Sequence, residues 1–241
     1  MPIFNHSSET MPELLDNSVA CIITSPPYPM IAKWDDIFNL QQAPTFTLQH
    51  EILYRVWSEC YKKLIPGGIL CVNIGDATRT VDKNFVCYPN YAKATIDLLN
   101  IGFNPLIPIF WRKISNRPNA FLGSGFLPVN AYVSQDCEYI GIYRKGNLRK
   151  FSVEEKEKRQ ASKFTKEERD IWFSQLWNIQ GEKGAKKHSG WPEAIFYRLM
   201  RMYSIIGDTI VDPFCGRGNE VLCEKYDRKY IGYDLSENPG E

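Results

Sequence analysis

Residues Val19 to Ile23 form an unbroken apolar run, rich in β-branched side chains, that stops at Thr24-Ser25-Pro26-Pro27-Tyr28. A short run of this kind, bounded by prolines, predicts a buried strand. Ser25 and Pro26 each precede a proline, which biases both away from helix, so the strand's carboxyl end must pass into a rigid, extended loop. That loop carries a hydroxyl, a carbonyl and an aromatic ring. An amine on an aromatic ring is a poor nucleophile because its lone pair is delocalised, and acceptors that hold its hydrogens favour the reactive, pyramidal form. The Ser25 hydroxyl and the Pro26 carbonyl suit that task, and the Tyr28 ring suits stacking on the base. Acceptors fixed in advance cost no reorganisation when charge develops. A purely structural Pro-Pro turn is the alternative these five residues leave open.

The rest of the chain surrounds this strand with alternating elements. Ile52, Leu53, Val56, Trp57, Cys60 and Leu64 follow helical spacing over Gln49 to Leu64, ended by Pro66-Gly67-Gly68. A strand at Ile69 to Ile74, a polar loop, a helix near Asn90 to Leu99 and strands at Leu106 to Trp111 and Cys137 to Tyr143 come next. Pro2 to Phe4 reads as a short edge strand, and Pro29 to Thr47, with no clear period, as a mobile flap beside the finger. The alternation predicts an α/β fold with a doubly wound, mostly parallel sheet.

A second informative stretch follows the helix Pro192 to Ile206, whose apolar face is marked by Ile195, Leu199, Met202 and Ile206. The strand Thr209 to Val211 leads into Asp212-Pro213-Phe214-Cys215-Gly216-Arg217-Gly218-Asn219, then a helix, then a strand from Lys229 to Tyr233 that ends at Asp234. A glycine-bearing turn from strand to helix lets the backbone approach a ligand. Asp234 lies 22 residues after Asp212, the spacing at which an acid takes the two hydroxyls of a ribose, and an adenosine-containing cofactor is predicted. Ligands of such sheets bind outside the carboxyl ends of the strands, so finger and cofactor share a crevice if their strands are neighbours.

Between these stretches the composition shifts. From Arg144 to Lys187 basic residues, among them Arg144, Lys145, Arg149, Lys150, Lys186 and Lys187, are interleaved with Phe151, Phe164, Trp172, Phe173 and Trp177. This pattern suits phosphate and base contact, while the accompanying acids equally fit a solvated helical surface. The formal charge of +1 over 241 residues does not itself select a partner. The seven cysteines form no C-x-x-C pair and sit mostly in apolar runs, and the three histidines do not cluster. They read as reduced thiols of a cytoplasmic protein without a metal site or disulfide frame. No apolar run reaches the length of a membrane span.

The strings IITSPPY (22–28), LIPGGILCVNIGD (64–76), KHSGWPE (187–193), GDTIVDPFCGRGN (207–219) and YIGYDLSE (230–237) together resemble the S-adenosylmethionine-dependent DNA amino-methyltransferases. The finger precedes the cofactor motif, which resembles the circularly permuted β class with its Rossmann-like methyltransferase fold. The resemblance implies a catalytic part at 1–143, a small target-recognition insert at 144–187 and a cofactor-binding part at 188–241. It makes Ser25, Pro26, Pro27 and Tyr28 the amine-binding finger and Asp212, Phe214, Gly216, Gly218 and Asp234 the cofactor pocket. His188 to Pro192 correspond to the segment that closes over the cofactor, and the basic stretch to the DNA-binding region. It further implies double-stranded DNA as substrate, base flipping, N4 of cytosine as target because the finger begins with Ser, and a cognate restriction endonuclease as a partner. Adenine N6 methylation and an inactive DNA-binding relative are the rival readings. Arg217 and Asn219 stand where the family often has Ser and Thr, and His6-Ser7-Ser8 where it usually has an acid, so no cofactor role is assigned there. The residues do not choose between a monomer and a dimer.

Overall fold

The computed structural model of the protein describes residues 2–114, 127–181 and 192–236. The first half contains β1 (Ile3–Phe4), β2 (Val19–Thr24), α1 (Asp35–Leu40), α2 (Phe46–Lys63), β3 (Leu64–Ile74), β4 (Ala77–Val81), β5 (Asn84–Tyr88) and α3 (Asn90–Ile101). The second half contains β6 (Phe103–Pro105), β7 (Ile109–Ile114), β8 (Cys137–Lys145), α4 (Val153–Ala161), α5 (Lys166–Trp172), β9 (Leu176–Gln180), α6 (Glu193–Tyr203), β10 (Thr209–Asp212), α7 (Glu220–Lys225) and β11 (Lys229–Tyr233).

The main sheet runs β1-β11-β10-β2-β3-β8-β7-β9, with β6 also paired to β8. Every neighbouring pair is parallel except those that β8 makes with β3, β7 and β6. The predicted doubly wound, mostly parallel sheet is therefore the observed one. β2 is buried along its whole length, as a central strand covered on both faces must be. Cys21 and Ile23 face α6 with Ile69 and Cys71 of β3, while Val19 and Ile22 face α2 and α3 with Leu70 and Val72. Phe196 and Leu199 of α6 and Trp57 of α2 are fully buried against these two faces. Each such side chain contributes about 1.5–3 kcal/mol by leaving water.

Several elements differ from the sequence expectation for local reasons. Pro66-Gly67-Gly68 does not lie outside the sheet: the β2–β3 register jumps from Val19↔Leu64 to Cys21↔Ile69, so the triplet forms a bulge within β3. The polar loop after Ile74 is the β4–β5 hairpin, turned at Asp82 and Lys83, both with positive φ. The aperiodic segment after Tyr28 contains a 3-10 turn and α1, whose Phe38 packs with Ala43 and Ile52. On α6 the buried face is Ile195, Phe196, Leu199 and Met200, with Met202 only half-buried and Ile206 beyond the helix. The segment from Arg144 onward is not apart from the sheet, because β9 pairs with β7 as its edge strand.

Candidate active site

The sheet reverses direction of growth between β2 and β10. From β2 the chain crosses through α2 to β3 on one side, and from β10 through α7 to β11 on the other. The two strands are parallel neighbours, Ile210↔Cys21 and Val211↔Ile22, so their carboxyl ends flank the crevice where such folds bind ligands. Thr24, the last residue of β2, donates its hydroxyl to Asp212 Oδ1 at 2.7 Å, and the Phe214 amide donates to the same oxygen at 3.1 Å. Finger and cofactor turn, 188 residues apart in sequence, are thereby joined side by side. Asp212 is buried, and that burial pushes its carboxyl up to about 7, against the lowering effect of the Thr24 and Phe214 hydrogen bonds.

Beyond Asp212 the turn is held from three sides. The Gly216 amide donates to Asp234 Oδ2 at 3.0 Å, the Cys215 amide to the Tyr233 carbonyl at 2.9 Å, and the Ser8 hydroxyl to the Pro213 carbonyl at 2.8 Å. Gly216 has φ +51, and a Cβ built there would meet no atom within 4 Å. The turn therefore opens onto free space beside a half-exposed Asp234. Each Asp234 oxygen accepts one amide, from Gly216 and Ser236, and retains lone pairs for hydroxyl donors. Phe214 is half-buried, edge-on to Trp57 at 6.0 Å. Gly218 has φ +77, a left-handed backbone that favours glycine, and lies close to the Glu220 and Ile3 side chains. An open, glycine-lined turn between an acid at the end of one strand and a second acid at the end of the next fits the adenosine and methionine parts of the predicted cofactor.

On the other wall, Tyr28 is half-buried and its hydroxyl donates to Glu138 Oε2 at 2.8 Å. The buried Asn73 amide donates to the Tyr28 hydroxyl at 2.6 Å and to Glu138 Oε2 at 2.8 Å. Glu138 is also paired with Lys113. Burial, reinforced by the Glu138 charge, raises the Tyr28 phenol well above its usual range, so the proton stays on it. Ser25 Oγ lies 3.1 Å from the Tyr28 hydroxyl. The single Tyr28 proton is committed to Glu138, so Ser25 is the donor in that contact; its oxygen accepts a long bond from the Asn73 amide at 3.4 Å and keeps a lone pair for a ligand. Below the finger, the Asn90 amide donates to the Pro29 and Gly75 carbonyls, both at 2.9 Å. The Met30 backbone is gripped by Gln49 at 2.7 Å and Arg79 at 2.6 Å. The prolines stiffen the loop, and these side chains fix where it points.

Sequence reasoning had given no role in the site to Thr24, Asn73, Asn90 or Glu138. A signal existed for two of them: Asn73 interrupts the apolar run Ile69–Ile74, and Glu138 stands at the start of an otherwise apolar strand. A polar group in a buried strand requires partners. Pro192 is where the sequence placed it, buried and preceding α6, with its carbonyl accepting from the Ile195 amide at 2.8 Å. His188, Lys186 and Lys187 lie outside the described residues.

The structure does not bring the remaining basic candidates to this crevice. β8 runs antiparallel to β3, pairing Ile69 with Arg144 and Ile74 with Tyr139, which places Arg144 and Lys145 at the opposite edge of the sheet. Arg144 Nε donates to the Gly146 carbonyl, and Lys145 Nζ to the Leu64 carbonyl at 2.8 Å and Asn17 at 2.9 Å. Arg149 is bidentate to Asp208, at 2.7 and 2.9 Å, and reaches Glu155 at 2.9 Å. Lys150 is exposed on the same edge. These four residues therefore stand at the opposite end of the strands from Ser25, away from a base held there. Cations near the finger's edge among the described residues include Lys33 after β2, Arg79 and Lys83 on the β4–β5 hairpin after β3, and Arg112 and Lys113 within β7.

Comparison with known proteins agrees with this geometry. Residues 19–239 match the N6/N4 family of DNA methylases. The type II methyltransferase M.MjaI of Methanocaldococcus jannaschii is 45% identical over 95% of this chain and 84% of its own length. M.MthZI of Methanothermobacter thermautotrophicus, also a type II methyltransferase, is 39% identical over 98% of this chain and 73% of its own. Among solved structures, a DNA modification methylase from Thermus thermophilus in complex with S-adenosyl-L-methionine superposes with a TM-score of 0.76 at 28% identity. The match covers 98% of this chain and 90% of that one. The cytosine-N4-specific PvuII DNA methyltransferase shares the fold, with a TM-score of 0.70 at 17% identity over 98% of this chain and 82% of its own.

Proposed function

Because this chain belongs to the N6/N4 family of DNA methylases, we propose that it transfers a methyl group from S-adenosyl-L-methionine to the exocyclic N4 amine of cytosine in duplex DNA. The observation that carries the reading is the Thr24–Asp212 hydrogen bond, which seats the Ser25 finger directly beside the open turn between Asp212 and Asp234. When bound, the cofactor supplies an electrophilic methyl on a sulfonium. Asp234 would hold its ribose hydroxyls, and the Gly216 turn would lie against it. The chain's own part in the reaction is acceptance and alignment.

The target base leaves the duplex at a cost of a few kcal/mol, offset by contacts in the pocket. Ser25 Oγ, its proton turned toward Tyr28, and the Pro26 carbonyl accept the amine hydrogens and orient the nitrogen lone pair toward the crevice. Alignment at close range is the main contribution. No thiol is required as a nucleophile, and all seven cysteines are free, five of them buried. Free thiols suit a reducing, cytoplasmic setting. Lys33, Lys83 and Arg112, near the finger's edge, are candidates to meet phosphates of the duplex. The type II relatives make an endonuclease that reads the same site a fitting partner. Among the described residues no helix is long and apolar enough to cross a membrane.

Cytosine is favoured over adenine by Ser25 at the head of the finger. The test is incubation with methyl-labelled cofactor and mixed-sequence duplex DNA, followed by digestion to nucleosides and mass spectrometry. Labelled N4-methylcytosine is expected. N6-methyladenine would keep the fold and the alignment chemistry and overturn the base assignment, and no labelled nucleoside despite measured cofactor binding would overturn the activity.

A further inference from the structure

At the edge of the sheet away from the finger, α4, α5 and the ends of β8 and α6 enclose a cleft of about 970 Å³. Gly67 at its wall and Asn73 beneath the finger are six residues apart on β3, roughly 20 Å along the strand. Among the described residues that line it, eight are Lys or Arg and none is Asp or Glu. Two of the eight are neutralised by carboxylates behind the wall, Arg149 by Asp208 and Glu155 and Arg201 by Glu168. The other six are Arg144, Lys156, Arg159, Lys163, Lys166 and Arg169. Arg144 donates to a backbone carbonyl, Arg159 lies 4.7 Å over the Phe151 ring, and Arg169 is 3.6 Å from the exposed Asp170. That exposed pair contributes little in water. No ion pair holds Lys156, Lys163 or Lys166 among the described residues. The floor is apolar and aromatic, with Ile69, Leu106, Phe151, Phe164 and Tyr203.

Like charges gathered around one concavity repel each other, and a bound anion relieves the repulsion. A rim of cations around an aromatic floor matches a ligand with phosphates outside and a flat ring inside, and the cleft has the volume of a small-ligand site. We propose that this cleft is a second ligand site that binds a nucleotide unit, either free or as part of a single strand. Lys156, Lys163, Lys166 and Arg169 hold the phosphate, and the base lies on the Phe164–Tyr203 floor. This inference does not rest on the methyl-transfer reading, since the cleft and the finger lie on opposite edges.

The experiment is fluorescence anisotropy with labelled oligo-deoxythymidine, which offers the finger neither cytosine nor adenine, in the presence of saturating S-adenosylhomocysteine to fill the cofactor crevice. Thymidine monophosphate is added as competitor. Binding is expected. Displacement by the mononucleotide identifies a free nucleotide as the ligand, and binding of the strand without such displacement identifies the strand. The combined variant Lys156→Glu, Lys163→Glu, Lys166→Glu is expected to weaken binding at least about tenfold and to flatten its salt dependence. Lys163→Gln with Lys166→Gln, which adds no repulsion to the folded state, is expected to weaken it less. Thermal melting and methyl transfer to a short duplex should stay at wild-type values in both. Failure of the wild type to bind either probe, or an affinity unchanged in both variants, would overturn the proposal.

Discussion

The two ends of the sheet's strands treat charge differently. At the finger's edge, Asp212, Asp234 and Glu138 converge, each held by hydroxyl or amide donors from other elements. At the far edge, cations converge on a cleft, and carboxylates such as Asp208 stand behind its wall. The first arrangement aims lone pairs and acids at a crevice, and the second fixes a junction and leaves positive charge facing outward. A residue's work here follows from the end of the strand at which it stands. Glu138 and Arg144 share β8, separated only by its length, and belong to different edges.

The comparison can be broken or sharpened by substitution. The largest effect is expected from Ser25→Ala, which should lower turnover by about a thousandfold while cofactor affinity by calorimetry and the melting temperature stay put. A parallel loss of cofactor binding would show that the finger and the turn are not separable. Arg149→Met should act on the other edge in the opposite sense. Leaving Asp208 without its partner should cost about 3 kcal/mol in denaturant unfolding, with turnover per folded molecule unchanged. Asp234→Ala is expected to weaken cofactor binding about tenfold with little change in the rate at saturation, measured by titration and single-turnover kinetics.

The remaining prediction concerns pH. The folded protein holds a proton on Asp212, at about 7, that the unfolded chain loses near 3.8. Stability of the cofactor-free protein should therefore fall as pH rises from about 4 to about 7 and level off above. Asp212→Asn should remove that slope, and an unchanged melting profile would refute the assigned protonation.

The fold was legible because its central strands are short apolar runs bounded by turn or acidic residues, and β2, β10 and β11 fall where those runs do. The finger and the acid pair were legible for the same reason, since each sits at the carboxyl end of such a run. What local pattern could not reveal was strand direction. The Cys137–Lys145 run reads alike whether parallel or antiparallel, and only its reversal against β3 sends Arg144 and Lys145 away from the finger. Basic composition from Arg144 to Lys187 suggested a DNA-binding stretch, but composition could not say that Arg144, Lys145 and Arg149 stand at the end of the strands away from the finger. Asn73 and Glu138 escaped notice because their significance lies in meeting each other across two strands.

The seam between β2 and β10 also has a consequence for how the molecule is made. During synthesis, β2 can pair with β3 as soon as β3 has emerged from the ribosome, yet its other flank and the Thr24 hydroxyl wait for a partner almost two hundred residues downstream. Until Asp212 arrives, the nascent chain carries an open strand edge and a finger with one wall of its crevice missing. A chain interrupted anywhere before that seam can fold part of the sheet, but it cannot act on a base.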